Sequence, residues 1–143
     1  MKKINQKAPV VSQNSILIHA PIEKVWEILT SINNWQNWNS EITSAKLNGN
    51  LKPKNSFVWK SGGIKITSEI HTVEKYHSFG WTGKSLGTFA IHNWKLTEKD
   101  QKTQVVVEES MQGFLVKVFK TSFQKNLDKN VEKWLISLKN KCE

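Results

Sequence analysis

A chain of 143 residues with 38% hydrophobic content suits one domain with a real core, and no run approaches the ~20 apolar residues of a membrane span. The formal net charge is +9, and all the positive charge is lysine, because the chain has no arginine. Without the guanidinium fork that reads guanine and phosphate, this basicity marks a solvated surface rather than a nucleic-acid interface. A single cysteine, Cys142, excludes an internal disulfide and a cysteine metal cluster. No apolar core of a signal peptide follows Lys2 and Lys3, so the expectation is a cytoplasmic protein without stable membrane insertion.

In chain order, residues 1–14 read as a flexible tail and 15–143 as one domain. A short strand at 15–19 ends at Ala20-Pro21, and Pro21 suits the first turn of a helix. That helix runs over 22–30, with Ile22, Val25, Trp26 and Leu29 on one face. A second short helical turn is expected over 34–39. The chain then changes character. Gly- and Asn-rich punctuation separates β-branched and aromatic runs, which predicts antiparallel strands near 41–48, 55–61, 63–74, 77–83, 87–97 and 103–112. Alternation within them places Trp59, Ile66, Ile70, Trp81, His92 and Trp94 on one, mostly apolar face.

The last stretch, 114–141, repeats apolar residues in steps of three and four: Val116, Phe119, Phe123, Leu127, Val131, Trp134 and Leu138. At ~1.5 Å per residue this is a rod about 40 Å long whose apolar stripe needs a surface to lie on. Its lysines fall on the opposite, solvated face. One curved sheet of about seven strands is the natural partner, giving an α+β protein. The sheet wraps around a long C-terminal helix, with two short helices after the first strand. Any volume left between sheet and helix becomes an apolar cavity.

Several segments carry a resemblance: Ile18-His19-Ala20-Pro21 running into Val25-Trp26 and Leu29, Trp35-Gln36-Asn37-Trp38, Phe79-Gly80-Trp81-Thr82-Gly83, and the hairpin from His92 to Gly113. Over about 15–141 the chain resembles the helix-grip fold of the START/Bet v 1-like (SRPBCC) superfamily, in its polyketide cyclase/dehydrase-like branch. The resemblance implies an internal cavity for a hydrophobic, lipid- or polyketide-like molecule. It also leaves room for a cofactor-free cyclase or dehydratase and for a co-chaperone-like interaction module.

The residues themselves offer few groups for chemistry. The four histidines lack metal-ligand spacing, so no metal or cofactor is expected. His71 shares a phase with Lys65 and Glu69 and reads as solvent-facing. His92 has the phase of Ala90 and Trp94 and points inward, as a lining residue or a proton-transfer group. Glu109 shares the face of Val107 and Met111, although a one-residue bulge would exchange it with Glu108. A carboxylate in an apolar enclosure could serve as an acid or base. The candidate site is therefore Trp59, Ile66, Ile70, Trp81, His92, Trp94, Phe119 and Phe123 for ligand binding, with His92 and Glu109 for catalysis. A tightly filled interior would instead favour the interaction module.

Overall fold

The computed structural model describes residues 1–143. Its elements run β1 (Val10–Ile18), α1 (Ile22–Thr30), a 3-10 helix (Ile32–Asn37), β2 (Ile42–Leu47), β3 (Ser56–Ser61), β4 (Ile64–Glu74), β5 (Ser78–Ser85), β6 (Thr88–Lys99), β7 (Lys102–Gln112), α2 (Phe114–Val118) and α3 (Lys120–Cys142). The seven strands form one antiparallel sheet in the order β1-β7-β6-β5-β4-β3-β2. Strands β2 to β7 form a meander of neighbours, and β1 closes the order by pairing with β7. No helix is long and apolar enough to cross a membrane.

Three of the hairpins turn on two residues with positive φ: Gly62-Gly63, Leu86-Gly87 and Asp100-Gln101. Two positive φ values in a two-residue loop match the right-handed twist of the strands they join. Glycine adopts this backbone freely. Leu86 does so at φ 46°, in a region that costs an ordinary side chain ~1–2 kcal/mol.

The inner face of the sheet and the apolar stripe of α3 share the core. Leu127, Val131, Trp134, Leu135 and Leu138 are all buried there, against Phe57, Ile70, Phe79, Trp94, Val105 and Val107. One half of this interior is filled by aromatic rings. Trp35 is fully buried and lies edge-on to Phe57, Trp59 and Trp134, with ring centroids 5.4, 5.5 and 5.0 Å away. Its indole N–H donates to the Leu29 carbonyl at 2.9 Å, fixing the 3-10 helix to the end of α1. Each such aromatic pair contributes ~0.5–1.5 kcal/mol beyond its area.

Two expectations from the sequence need correction. The first strand begins at Val10 rather than at residue 15, because Val10 to Asn14 pair in register with Met111 to Val107. Residues before it lie across the outer face of the sheet. Ile4 is buried, Asn5 donates its backbone N–H to Ser110 Oγ at 3.0 Å, and Asn93 Nδ2 donates to the Lys2 carbonyl at 2.8 Å. Its nearly all-polar sequence hid this segment, which is held largely by polar groups of the sheet. The C-terminal rod is also two helices. It breaks at Phe119, whose ψ is 41°, although no Pro or Gly marks the place.

Candidate functional site

The other half of the interior is open. A cavity of about 310 Å³ lies between β3 to β7 and the α2–α3 corner. Its inner wall includes Trp59, Ile66, Trp81, Ala90 and Met111 from the strands, facing Phe123 and Leu127 from α3. Ile64, Leu86 and Leu115 also line it and are exposed, which places the mouth between the β3–β4 and β5–β6 hairpins and α2. The volume falls at the lower end of the ~300–1,000 Å³ range of small-molecule sites.

His92 and Glu109 are the ionisable side chains of this lining. They sit directly opposite one another on β6 and β7, both on the inward phase of their strands. His92 Nδ1 and Glu109 Oε1 are joined by a hydrogen bond. The imidazole stacks on Trp81, with centroids 4.4 Å apart and planes 12° apart, and Trp94 lies beyond it at 5.5 Å. These rings fix the orientation of the imidazole. Its Nε2 is buried and has no polar partner in the protein. The second oxygen of Glu109 makes no hydrogen bond within the protein and is not sealed off, leaving it as the acceptor available to a molecule in the cavity. No group of three or more His, Cys, Asp or Glu is positioned to hold a metal ion.

The structure brings Trp59, Ile66, Trp81, His92, Glu109 and Phe123 together at the cavity, and Glu108 turns to the outer face, where it accepts from Asn93 Nδ2 at 3.3 Å. Three other candidates lie elsewhere. Ile70 and Trp94 are fully buried in the filled half of the core. Phe119 is 56% exposed outside the mouth, because the break in the rod turns it away from the sheet. Asn126 and Asn130 of α3 line the cavity and were not foreseen. Two uncharged polar residues four apart, flanking the apolar stripe of a lysine-rich helix, were the available signal.

His71 corrects a further expectation. It occupies a bulge in β4, where the register shifts between Ile70 and Thr72, and it faces outward. The N-terminal segment covers it, so it is half-buried rather than free in water. Burial, assisted by the positive charges of the amino terminus and Lys2, lowers its pKa to about 4. Gly80 makes the room: a Cβ there would lie 2.3 Å from His71 Cε1 and 2.6 Å from Asn93 Oδ1.

The sheet gripping a helix, with a cavity between them, defines a helix-grip fold. The chain belongs to the polyketide cyclase/dehydrase and lipid transport family, whose model matches residues 9–143. Solved structures agree on the fold. A hypothetical protein of Helicobacter pylori is 18% identical and superposes with a TM-score of 0.86 over 100% of this chain and 98% of its own. A START superfamily protein of Mycobacterium smegmatis is 11% identical, with a TM-score of 0.81 over 92% of this chain and 96% of its own. The ZhuI aromatase/cyclase of a Streptomyces species is 10% identical, with a TM-score of 0.78 over 92% of each chain. At these identities the likeness is one of fold. No curated protein matches the chain by sequence.

Proposed function

We propose that the cavity binds a compact, largely apolar or aromatic molecule, with one polar group set against Glu109. The observation that carries this reading is the lining itself. Apolar walls and two indole rings enclose about 310 Å³, with one hydrogen-bonded His–Glu pair among them. Apolar walls supply affinity, and a few fixed polar groups supply orientation. The size favours a molecule of up to about three rings, or one short chain, over a lipid with two long chains. An open interior also favours a small-molecule ligand over an interaction module. N-phenyl-1-naphthylamine, a neutral apolar fluorophore, tests the reading. One molecule should bind per chain with enhanced emission, and Ala90→Phe, which fills the cavity, should abolish binding. Unchanged binding by that variant would place the probe elsewhere and remove the support.

The His92–Glu109 pair favours a second reading, a cofactor-free cyclase or dehydratase. A carboxylate held at one oxygen by an oriented imidazole is a general base whose proton has a place to rest. An aromatase/cyclase shares the fold, which suits this chemistry. Protein-dependent deuterium exchange at the α-carbon of cyclohexanone would report proton abstraction. Glu109→Gln should remove the exchange while the fluorophore still binds. Exchange that persists in Glu109→Gln would exclude the carboxylate as base.

A further inference from the structure

One polar row crosses the inner face of the sheet beneath α3. His92 on β6, Glu109 on β7 and Ser12 on β1 stand directly opposite one another in the ladder, and all three are buried. Ser12 breaks the pattern of its strand, whose other buried residues are Val10 and Ile18. A buried hydroxyl needs a partner. It finds one on the helix: Ser12 Oγ donates to Asp128 Oδ1 at 2.6 Å. Gln124, one turn earlier on α3, donates from Nε2 to the same Asp128 oxygen at 3.1 Å and to the Val11 carbonyl at 2.8 Å, which fixes the carboxylate over the edge strand. The other oxygen of Asp128 makes no hydrogen bond in the protein, and the residue is exposed.

The row therefore reaches water at a second place. The cavity mouth lies at the β3–β4 and β5–β6 hairpins, whereas Asp128 opens on the seam between β1 and α3, on the side of Glu109 away from His92. Opposed Cβ atoms in such a ladder stand ~4.5–5.5 Å apart, so a Glu109 carboxyl reaches the Ser12 hydroxyl directly or through one water. A molecule that fills the cavity displaces water from the mouth side of Glu109. A carboxylate that has taken up a proton then needs another way to release it.

We propose that Ser12 and Asp128 form a proton relay that connects Glu109 to solvent while the cavity is occupied. Protonated Glu109 gives its proton toward Ser12 Oγ, the Ser12 hydroxyl gives its own proton to Asp128, and Asp128 releases it to bulk water. The Glu109 carboxylate and the Ser12 hydroxyl are restored, and the net change is one proton moved outward. In reverse the same steps recharge Glu109 as an acid. The use of this relay rests on the reading of Glu109 as a base. Its test does not, because proton traffic along the row is a property of the protein without substrate.

The probe is the His92 Nδ1–H, which exchanges with water through the carboxylate it is bonded to. Its exchange rate is read by saturation transfer from water on protein with ¹⁵N-labelled histidine, once with saturating N-phenyl-1-naphthylamine and once in Ala90→Phe, whose cavity is filled by its own side chain. In both, Asp128→Asn should slow the exchange about tenfold or more. This variant keeps a carbonyl oxygen for Ser12 and Gln124, so a purely structural tie between β1 and α3 would be unaffected by it. Ser12→Ala should slow the exchange equally, and Ser12→Thr, which keeps the hydroxyl, should restore it. Backbone amide exchange at His92 and Glu109 should stay the same throughout. Exchange that is unchanged or faster in Asp128→Asn would overturn the relay, since the proton would then leave by the mouth or by opening of the seam. A resonance too broad to observe in wild type and in both blocking variants counts as unslowed exchange. Slowing matched by the backbone amides would be a change in local opening and would overturn it equally. Failure of the fluorophore to bind would count against the cavity reading alone, because Ala90→Phe tests the relay without it.

Discussion

His92 and Glu109 face one another across the β6–β7 ladder, and their side chains bond inside an apolar enclosure rather than in water. The pair costs desolvation and is held by its surroundings, with Trp81 stacked on the imidazole. Breaking it from either side should be more harmful than removing both halves. His92→Ala should lower the unfolding free energy by about 2–4 kcal/mol, since it leaves a hole between two indoles and a buried carboxylate without its partner. Glu109→Ala should cost about 1–3 kcal/mol by leaving Nδ1 unpaired. Urea denaturation of both single variants and the double variant should give a coupling of about 0.5–3 kcal/mol. Strict additivity would mean that the hydrogen bond contributes nothing to the fold.

Stability should depend on pH through His71. Its folded pKa is about 4, below the ordinary 6.5, chiefly because burial disfavours the imidazolium. Above pH 6.5 both folded and unfolded chains hold it neutral, and its full contribution is present. As pH falls from 6.5 to about 4 the unfolded chain takes up a proton that the folded chain refuses, so stability falls across that window. Below it the two states are equally protonated and the slope ends. Thermal unfolding of wild type and His71→Gln between pH 7 and 4 should diverge in this direction. Deleting residues 1–4 should raise the His71 pKa, read by NMR, because it removes the cover and the Lys2 ammonium and moves the amino-terminal charge to a later residue.

Gly113 cannot carry a side chain. Its φ of 138° and ψ of 167° belong to a region reserved for glycine, and a Cβ would meet backbone rather than a movable side chain. Gly113→Ala should lower stability by about 1–3 kcal/mol in urea titration and shift amide resonances at Leu86 and Gly87. A neutral substitution would mean that α2 and the β5–β6 turn are not tied together.

Cys142 should be inert in the folded state. Burial is the main cause that pushes its thiol up to about 11, and its side chain is 1% exposed on the inner face of α3. A chromogenic disulfide reagent at pH 8 should react only on the timescale of unfolding, with full reaction in urea. Immediate reaction would show that the end of α3 opens readily.

The fold was legible because each element carried its own period. The two-residue alternation of β6 and β7, and of β4 as far as Ile70, survives in the structure, as does the 3.6-residue stripe of α3, with strand ends within two residues of expectation from β2 onward. The family features in Ala20-Pro21 to Leu29 and in Phe79 to Gly83 fall on α1 and β5 as expected. What escaped depends on groups that periodicity does not encode. The β4 bulge places His71 and Thr72 on the same side, and no single residue announces it. The segment before β1 docks through backbone and amide hydrogen bonds, so its sequence looks like a tail. Phase gave the face on which Ile70 and Trp94 point but not how far along the strand the packing ends and the cavity begins. That boundary is set by Trp35 and Trp134, which reach in from other elements.

The central claim is that a small apolar molecule enters the half-open interior beside Trp59 and Trp81. The seven indole N–H resonances of the chain read this directly in a ¹H–¹⁵N spectrum titrated with N-phenyl-1-naphthylamine. The signals of Trp59, bonded to Ser68 Oγ at 3.0 Å, and of Trp81 should move, while that of Trp26, packed on Tyr76 and Phe79 away from the cavity, should stay in place. Saturating shifts confined to Trp26, or none at any indole, would contradict the account.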